Sequence, residues 1–255
     1  MLHETSNYKI QLQSLKDYRD KIAFLKNKYE EKDCFLLAPG PSLGHVKESL
    51  LKARLEDNLV FCVKQAFLKY SDYTDFHFIN DCNLPSPQGY SYSIEKEPII
   101  VASSGYYEPF AAQRSGTLQK WDIFCRVLTP GVYPEATMGY VLENLNFSKG
   151  LFDKTCLRPC GPSITVETVI YMAVHIGVKN IYAIGWDSGA TTGKHFYDNK
   201  HLHLAGDNKE WDQRLIRNGS GPLYNWLKEQ GITLHLISDV SALSDEIPRI
   251  KLEDL

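Results

Sequence analysis

Six short runs of β-prone, mostly apolar residues recur along the chain, at Cys34–Ala38, Leu59–Val63, Phe76–Asn80, Pro98–Ala102, Asn180–Gly185 and Thr233–Ile237, separated by helix-length or loop-length spacers. Unbroken apolar strands are covered on both faces, and a parallel neighbour is reached only through a crossover, so this rhythm constrains the chain to a particular layering. The expected fold is α/β, a Rossmann-like, doubly wound and mostly parallel sheet with helices on both faces. Helices are predicted over Leu43–Leu55, Thr165–Ile176 and Leu215–Gln230.

With 255 residues, 43% of them hydrophobic, the chain can bury one sizeable core, and residues 1–255 read as a single α/β domain. Within residues 1–32, Leu12, Leu15, Tyr18, Ile22, Leu25 and Tyr29 recur near helical spacing. They predict one amphipathic N-terminal helix over Tyr8–Tyr29, packed on the domain or on a second subunit as a homo-oligomer contact. From about 85 to 155 the pattern loosens, with turn clusters at Pro85–Gly89 and Thr129–Pro134, and this stretch reads as an irregular lid or acceptor-binding insert.

Charge and cysteine usage narrow the function classes. A net charge of -3 argues against nucleic acid, which is normally met by a basic face. Residues 1–5 lack the basic region and apolar core of a signal peptide, and no apolar run approaches the roughly 20 residues of a membrane helix. Cys34, Cys62, Cys82, Cys125, Cys156 and Cys160 are scattered, and Cys156 and Cys160 have no second pair with which to hold zinc. The expectation is a cytoplasmic, disulfide-free protein; peripheral contact with the inner membrane face needs no long apolar segment and stays compatible with it.

Two stretches carry nearly the same loop chemistry: Ala38-Pro39-Gly40-Pro41-Ser42-Leu43 after a strand, and Cys160-Gly161-Pro162-Ser163-Ile164 before a helix. Glycine permits a tight turn and close approach to a ligand, proline suits a first helical position, and serine caps. The amides of such helix starts suit phosphate. A third segment, Ile184-Gly185-Trp186-Asp187, ends a strand in a glycine and a carboxylate. Together they suggest a nucleotide held at the carboxyl edge of the sheet. Taken singly, Asp187 and Asn80 are also ordinary turn residues, and Ser42 and Ser163 are also ordinary caps.

His195, Asp198, His201 and His203 crowd into one stretch rich in Gly, Thr and Asn after the Asp187 strand. Loops at that edge of an open α/β sheet are where ligands sit. Three readings stay open for this stretch: a catalytic loop carrying a base, metal ligands, or solvated surface. The chain contains no Asp-x-Asp, the pair with which many transferases hold a divalent ion over a nucleoside diphosphate. No cofactor is therefore expected, although a lone Asp81 or Asp187 could hold magnesium. The spacing of Gly40 and Gly44 also misses the dinucleotide fingerprint.

The stretch Leu36-Leu37-Ala38-Pro39-Gly40-Pro41-Ser42-Leu43 resembles the opening strand and loop of the bacterial sialyltransferases of glycosyltransferase family 42. It equally resembles the related domains of motility-accessory-factor proteins and archaeal hydroxymethylpterin pyrophosphokinases. Cys62-Val63-Lys64-Gln65-Ala66-Phe67, Phe76–Asn80 and Ser163 through Asp187 extend the likeness over roughly 34–83 and 160–240. The resemblance implies that Ala38, Pro39, Gly40, Pro41 and Ser42 wrap the donor nucleotide and that Lys64, Gln65, Asn80 and Asp81 lie at the polar strand ends facing it. Ser163 and Thr165 would offer hydroxyls to its phosphate, while Gly185, Trp186 and Asp187 border ribose and base. It further implies metal-independent sugar transfer from a CMP-type nucleotide donor to a cell-surface glycan or lipid-linked glycan, with His203, or alternatively His201, as general base. This chain has Ser188-Gly189 where the sialyltransferases have aromatics, and Pro162 where they have a basic residue. Another CMP-activated acidic sugar therefore fits as well as sialic acid. Two other readings are a pyrophosphokinase using ATP, with magnesium on Asp81 and Asp187, and a non-catalytic nucleotide-binding domain.

Overall fold

The strand Asp33–Leu37 (β1) lies between Leu59–Val63 (β2) and Asn180–Ile184 (β7), pairing in parallel with both. It is the strand from which the sheet is wound in two directions. The computed structural model describes residues 2–80, 97–104, 121–128, 146–152, 157–159, 164–188 and 209–255. On one side of β1 the order runs through β2, Phe76–Asn80 (β3), Ile99–Ser104 (β4), Ile123–Leu128 (β5) and Leu157–Pro159 (β6). On the other it runs through β7 to Thr233–Leu236 (β8). Every pairing is parallel, so this is an α/β Rossmann-like sheet.

Alternate residues of β1 explain its apolar run. Cys34, Leu36 and Ala38 join a core with Phe61, Phe76 and Phe78, packed under Leu2–Ser14 (α1), Tyr18–Leu25 (α2), Ile170–Ile176 (α5) and Lys209–Glu229 (α6). Phe35 and Leu37 point the other way, toward Leu51 and Leu55 of Glu48–Leu55 (α3) and Phe67 and Tyr70 of Ala66–Tyr70 (α4). A strand buried on both faces has no polar alternation, which is why it reads as continuous apolar sequence.

The structure corrects or refines four expected segments. The predicted Tyr8–Tyr29 helix is two helices, because Asp17 accepts the Arg19 amide at 2.8 Å and starts α2 afresh. The stripe of Leu12, Ile22, Leu25 and Tyr29 is buried in this chain's own core, the first of the two packings expected for it. The 85–155 stretch is not simply an insert: the strand expected at Pro98–Ala102 forms β4, and the unforeseen β5 extends the sheet beyond it. Finally, Leu43–Leu55 is a short 3-10 turn over Pro41–Gly44 followed by α3, and Thr165–Ile176 opens with a π-turn over Thr165–Val169 before α5.

The amino edge of the sheet is tied down by buried charge. Lys9 of α1 is 3.2 Å from both Glu97 and Asp122 and donates to the Pro98 carbonyl. Asp122 also accepts the Ile100 amide, and Asp75 accepts the Val60 amide, each at 2.9 Å. Among the described residues no helix is long and apolar enough to cross a membrane. Cys34, Cys62 and Cys125 are buried and not in disulfides.

Candidate functional site

The winding changes direction between β1 and β7, and at that point the crevice beyond the strands' carboxyl ends is the ligand position in open α/β sheets. Ala38–Ser42 leave β1 there, and Gly185–Ser188 leave β7. The two exits are joined backbone to backbone: the Ala38 amide donates to the Ile184 carbonyl and the Gly40 amide to the Gly185 carbonyl, each at 2.8 Å. Only glycines allow this. A Cβ on Gly40 would stand 2.2 Å from the Gly185 oxygen, and one on Gly185, whose φ is +78°, would stand 1.9 Å from the Ala38 oxygen.

Side chains complete the junction. The Gly185 amide donates to Ser42 Oγ at 2.9 Å, and the Ser42 amide donates to Asp187 Oδ2 at 2.8 Å. Ser238, just after β8, donates to Asp187 Oδ1 at 2.8 Å. The Ala242 amide reaches the Asp187 carbonyl, and Ser241 Oγ reaches the Trp186 carbonyl. Asp187 is thus a buried clip holding three chain segments, with each carboxylate oxygen accepting an internal hydrogen bond.

This changes the chemistry available to the first loop. Pro39 and Pro41 have no amide hydrogen, and the amides of Gly40, Ser42 and Leu43 are bonded to Gly185, Asp187 and Gly40 respectively. Pro41–Gly44 is a four-residue turn, not the start of a long helix. The loop therefore presents a closely approachable backbone rather than a ring of free phosphate-binding amides.

Lys64 and Gln65 follow β2 at the same edge, both half-buried. Lys64 adopts a left-handed backbone with φ of +49°, unusual for a residue with a Cβ. Its amide donates to the Phe78 carbonyl at 2.9 Å, and its own carbonyl accepts from the Phe67 amide at 3.2 Å. That carbonyl also lies 3.0 Å from His77 Nε2. A carbonyl only accepts, so the ring nitrogen is the donor. His77 is fully buried and stacked on Phe67 with centroids 4.3 Å apart. Burial pushes its pKa down to about 3, which keeps the ring neutral.

Asn80 ends β3 at this edge, in register with Ser103 of β4. Thr165, buried, opens the π-turn. Asp81, Ser163, His201 and His203 lie outside the described residues, as do His195 and Asp198. Gly40, Ser42, Gly185 and Asp187 are therefore in direct contact, while Lys64, Gln65 and Asn80 stand at neighbouring strand ends. Sequence reasoning missed Ser238 and His77. The first sits in an ordinary polar loop 51 positions from its partner, and the second is hidden between Phe76 and Phe78. Trp186, 4% exposed, has an indole nitrogen without a partner among the described residues. No cluster of three metal-ligating side chains occurs among the described residues.

No protein-family model matches the chain. No curated protein matches it either. Among solved structures, the MAf glycosyltransferase of Magnetospirillum magneticum AMB-1 is similar over 93% of this chain, at 12% identity and a TM-score of 0.49. The chain spans 38% of that protein's length. The sialyltransferase CstII of Campylobacter jejuni, solved in complex with a substrate analogue, cytidine-5'-monophosphate, is similar over 88% of this chain and 86% of its own, at 17% identity and a TM-score of 0.46.

Proposed function

We propose that this chain is a glycosyltransferase using a CMP-activated sugar, with the donor nucleotide lying across the carboxyl ends of β1 and β7, at the switch point of the sheet. The observation that carries the reading is the Gly40–Gly185 backbone junction at the sheet's switch point, clipped by Asp187. Such a junction brings main chain, rather than bulky side chains, to the place where ligands of open α/β sheets sit. The motif resemblance at Leu36–Leu43 and through Asp187 supplies the sugar-transfer assignment. The acceptor would be a glycan or lipid-linked glycan.

In this mechanism an acceptor hydroxyl attacks the anomeric carbon, the bond from that carbon to the CMP phosphate oxygen breaks, and CMP leaves with the electron pair. His203, or His201 in its place, takes the hydroxyl proton. No divalent ion is assigned a role, in keeping with the lack of an Asp-x-Asp pair. The pyrophosphokinase alternative would need magnesium on Asp81 and Asp187, and the two oxygens of Asp187 already accept from Ser42 and Ser238.

Thermal shift with CMP, UDP, GDP and ATP plus magnesium tests the reading, since a ligand that binds only the folded state raises the melting temperature. CMP alone, without metal, should stabilise. A response confined to ATP with magnesium would replace the reading by the pyrophosphokinase one, and silence from all four would leave a domain without nucleotide chemistry. His203→Ala and His201→Ala then separate the base candidates by turnover with CMP binding retained.

A further inference from the structure

A residue in a disfavoured backbone conformation persists only where its surroundings over-determine it, and such residues gather at binding sites. Lys64 is one of four non-glycine residues with positive φ among the described residues, and it lies at the carboxyl edge of the central strands. Glycine or asparagine would adopt that conformation with less strain. Neither carries what lysine carries, a cation on a long stem.

Three contacts hold the conformation. The Lys64 amide is bonded to the Phe78 carbonyl, and its carbonyl takes hydrogen bonds from the Phe67 amide and from the His77 ring. The ring in turn is fixed between its strand and the face of Phe67, with an interplanar angle of 15°. Burying an imidazole costs desolvation that an apolar residue at this position would avoid, and one hydrogen bond of the buried ring goes to this backbone carbonyl. The arrangement makes sense if the carbonyl's position matters.

That position is next to the junction. β1 and β2 pair in parallel up to Leu37 opposite Cys62, so Lys64, the first residue past β2, and the Pro39–Gly40 turn past β1 leave neighbouring strands at the same edge. On its other side β2 is level with β3, where Val63 pairs with Phe78. Lys64 thus stands between the Pro39–Gly40 turn and the end of β3. The turn itself has its amides engaged, so an anionic group placed there needs a cation from elsewhere.

We propose that Lys64 binds the phosphate of the nucleotide at this site and that His77 is the positioning residue that holds it, through the Lys64 carbonyl, in the left-handed conformation. The inference rests on the nucleotide reading above and adds to it which part of the nucleotide is recognised and by what. An ammonium point charge is an effective phosphate partner, and its contribution is charge-assisted.

Titration calorimetry with CMP and with cytidine separates the phosphate contribution from that of the nucleoside. The wild-type chain should bind CMP about tenfold or more tighter than cytidine, the range of one charge-assisted contact. Lys64→Asn, which keeps a residue tolerant of the left-handed backbone while removing the ammonium, should lose about 10-fold to 100-fold in CMP affinity and keep its cytidine affinity. The CMP preference of the wild type should also shrink as salt rises. His77→Leu should weaken CMP and spare cytidine, and His77→Gln, whose amide nitrogen reaches as far as Nε2, should restore CMP binding. Equal wild-type affinity for CMP and cytidine, or unchanged CMP binding in Lys64→Asn, overturns the inference and leaves the nucleotide reading standing. A His77→Leu chain that weakens both ligands equally overturns the positioning role. Binding of neither ligand to the wild type removes the nucleotide reading, and this inference with it.

Discussion

The Ser42 amide meets Asp187 Oδ2 at 2.8 Å, joining residues 145 positions apart in the chain. The other carboxylate oxygen takes the Ser238 hydroxyl at the same distance, so a single side chain ties the exits of β1, β7 and β8 together. Removing it leaves a buried amide and a hydroxyl without their acceptor. Asp187→Ala should destabilise the fold by about 3 kcal/mol, the combined range of two hydrogen bonds to a charged group. Asp187→Asn keeps one acceptor oxygen but turns an amide NH2 toward a donor, so it should fall between wild type and alanine. Urea midpoints at constant slope measure the series, and a wild-type midpoint for Asp187→Ala would refute the clip.

Gly185 and Gly40 are constrained by main chain on the opposite side, and main chain cannot rotate away. The nearest atoms to an added Cβ are the Ala38 carbonyl oxygen at 1.9 Å and the Gly185 carbonyl oxygen at 2.2 Å, respectively. Gly185 also has a left-handed backbone, so Gly185→Ala meets strain and collision together. It should lower stability by more than about 3 kcal/mol or prevent folding. Gly40→Ala should splay the loop from β7 and, on the proposed function, weaken nucleotide binding. A melting temperature within a degree of wild type for either variant would show that the junction is not as close as described.

Much of this sheet could be read in advance, and the failures have identifiable causes. β1 and β2 stand out because strands buried on both faces are unbroken apolar runs, ended here by Pro39 and Lys64, while β3 is an apolar run interrupted only by His77 and ended by Asn80. β5 was hidden by Arg126 in the middle of Ile-Phe-Cys-Arg-Val-Leu, and β6 by its three-residue length and its proline. The break between α1 and α2 was invisible to periodicity because Leu12, Leu15, Tyr18 and Ile22 keep apolar spacing across it; the Asp17 cap was the available signal. At the site, glycine and turn chemistry marked Gly40 and Gly185. The internal use of Ser42 and Asp187 followed only from their meeting in space.

His77 gives stability a pH dependence of known sign. Its folded pKa of about 3 lies below the ordinary value of 6.5, because burial disfavours the charged ring. Below pH 6.5 the unfolded chain takes up a proton that the folded chain refuses, so stability is full above that pH and is lost as pH falls toward 3. The slope from this one group is at most about 1.4 kcal/mol per pH unit. His77→Gln does not titrate here, so between pH 6 and pH 4 the wild type should lose stability more steeply than the variant. Parallel stability curves in chemical denaturation would mean that the ring is protonated or exposed in the fold.

Lys9 offers a test that separates stability from site chemistry. Its ammonium is buried on the amino edge of the sheet between Glu97 and Asp122, whereas the candidate site lies on the carboxyl edge. Lys9→Met preserves much of the side chain's volume but leaves two carboxylates facing each other without their cation. Breaking a buried ion pair from one side typically costs about 3–5 kcal/mol, and α1 should loosen with it. Because β1 and β7 reach the site from the opposite end, CMP affinity measured well below the unfolding temperature should stay within about twofold of wild type. The double substitution Lys9→Met with Asp122→Asn removes most of the exposed repulsion and should recover part of the loss. A Lys9→Met chain that is as stable as wild type would mean that α1 is held by its apolar face alone, through Leu12, and that the charge cluster is incidental to the fold.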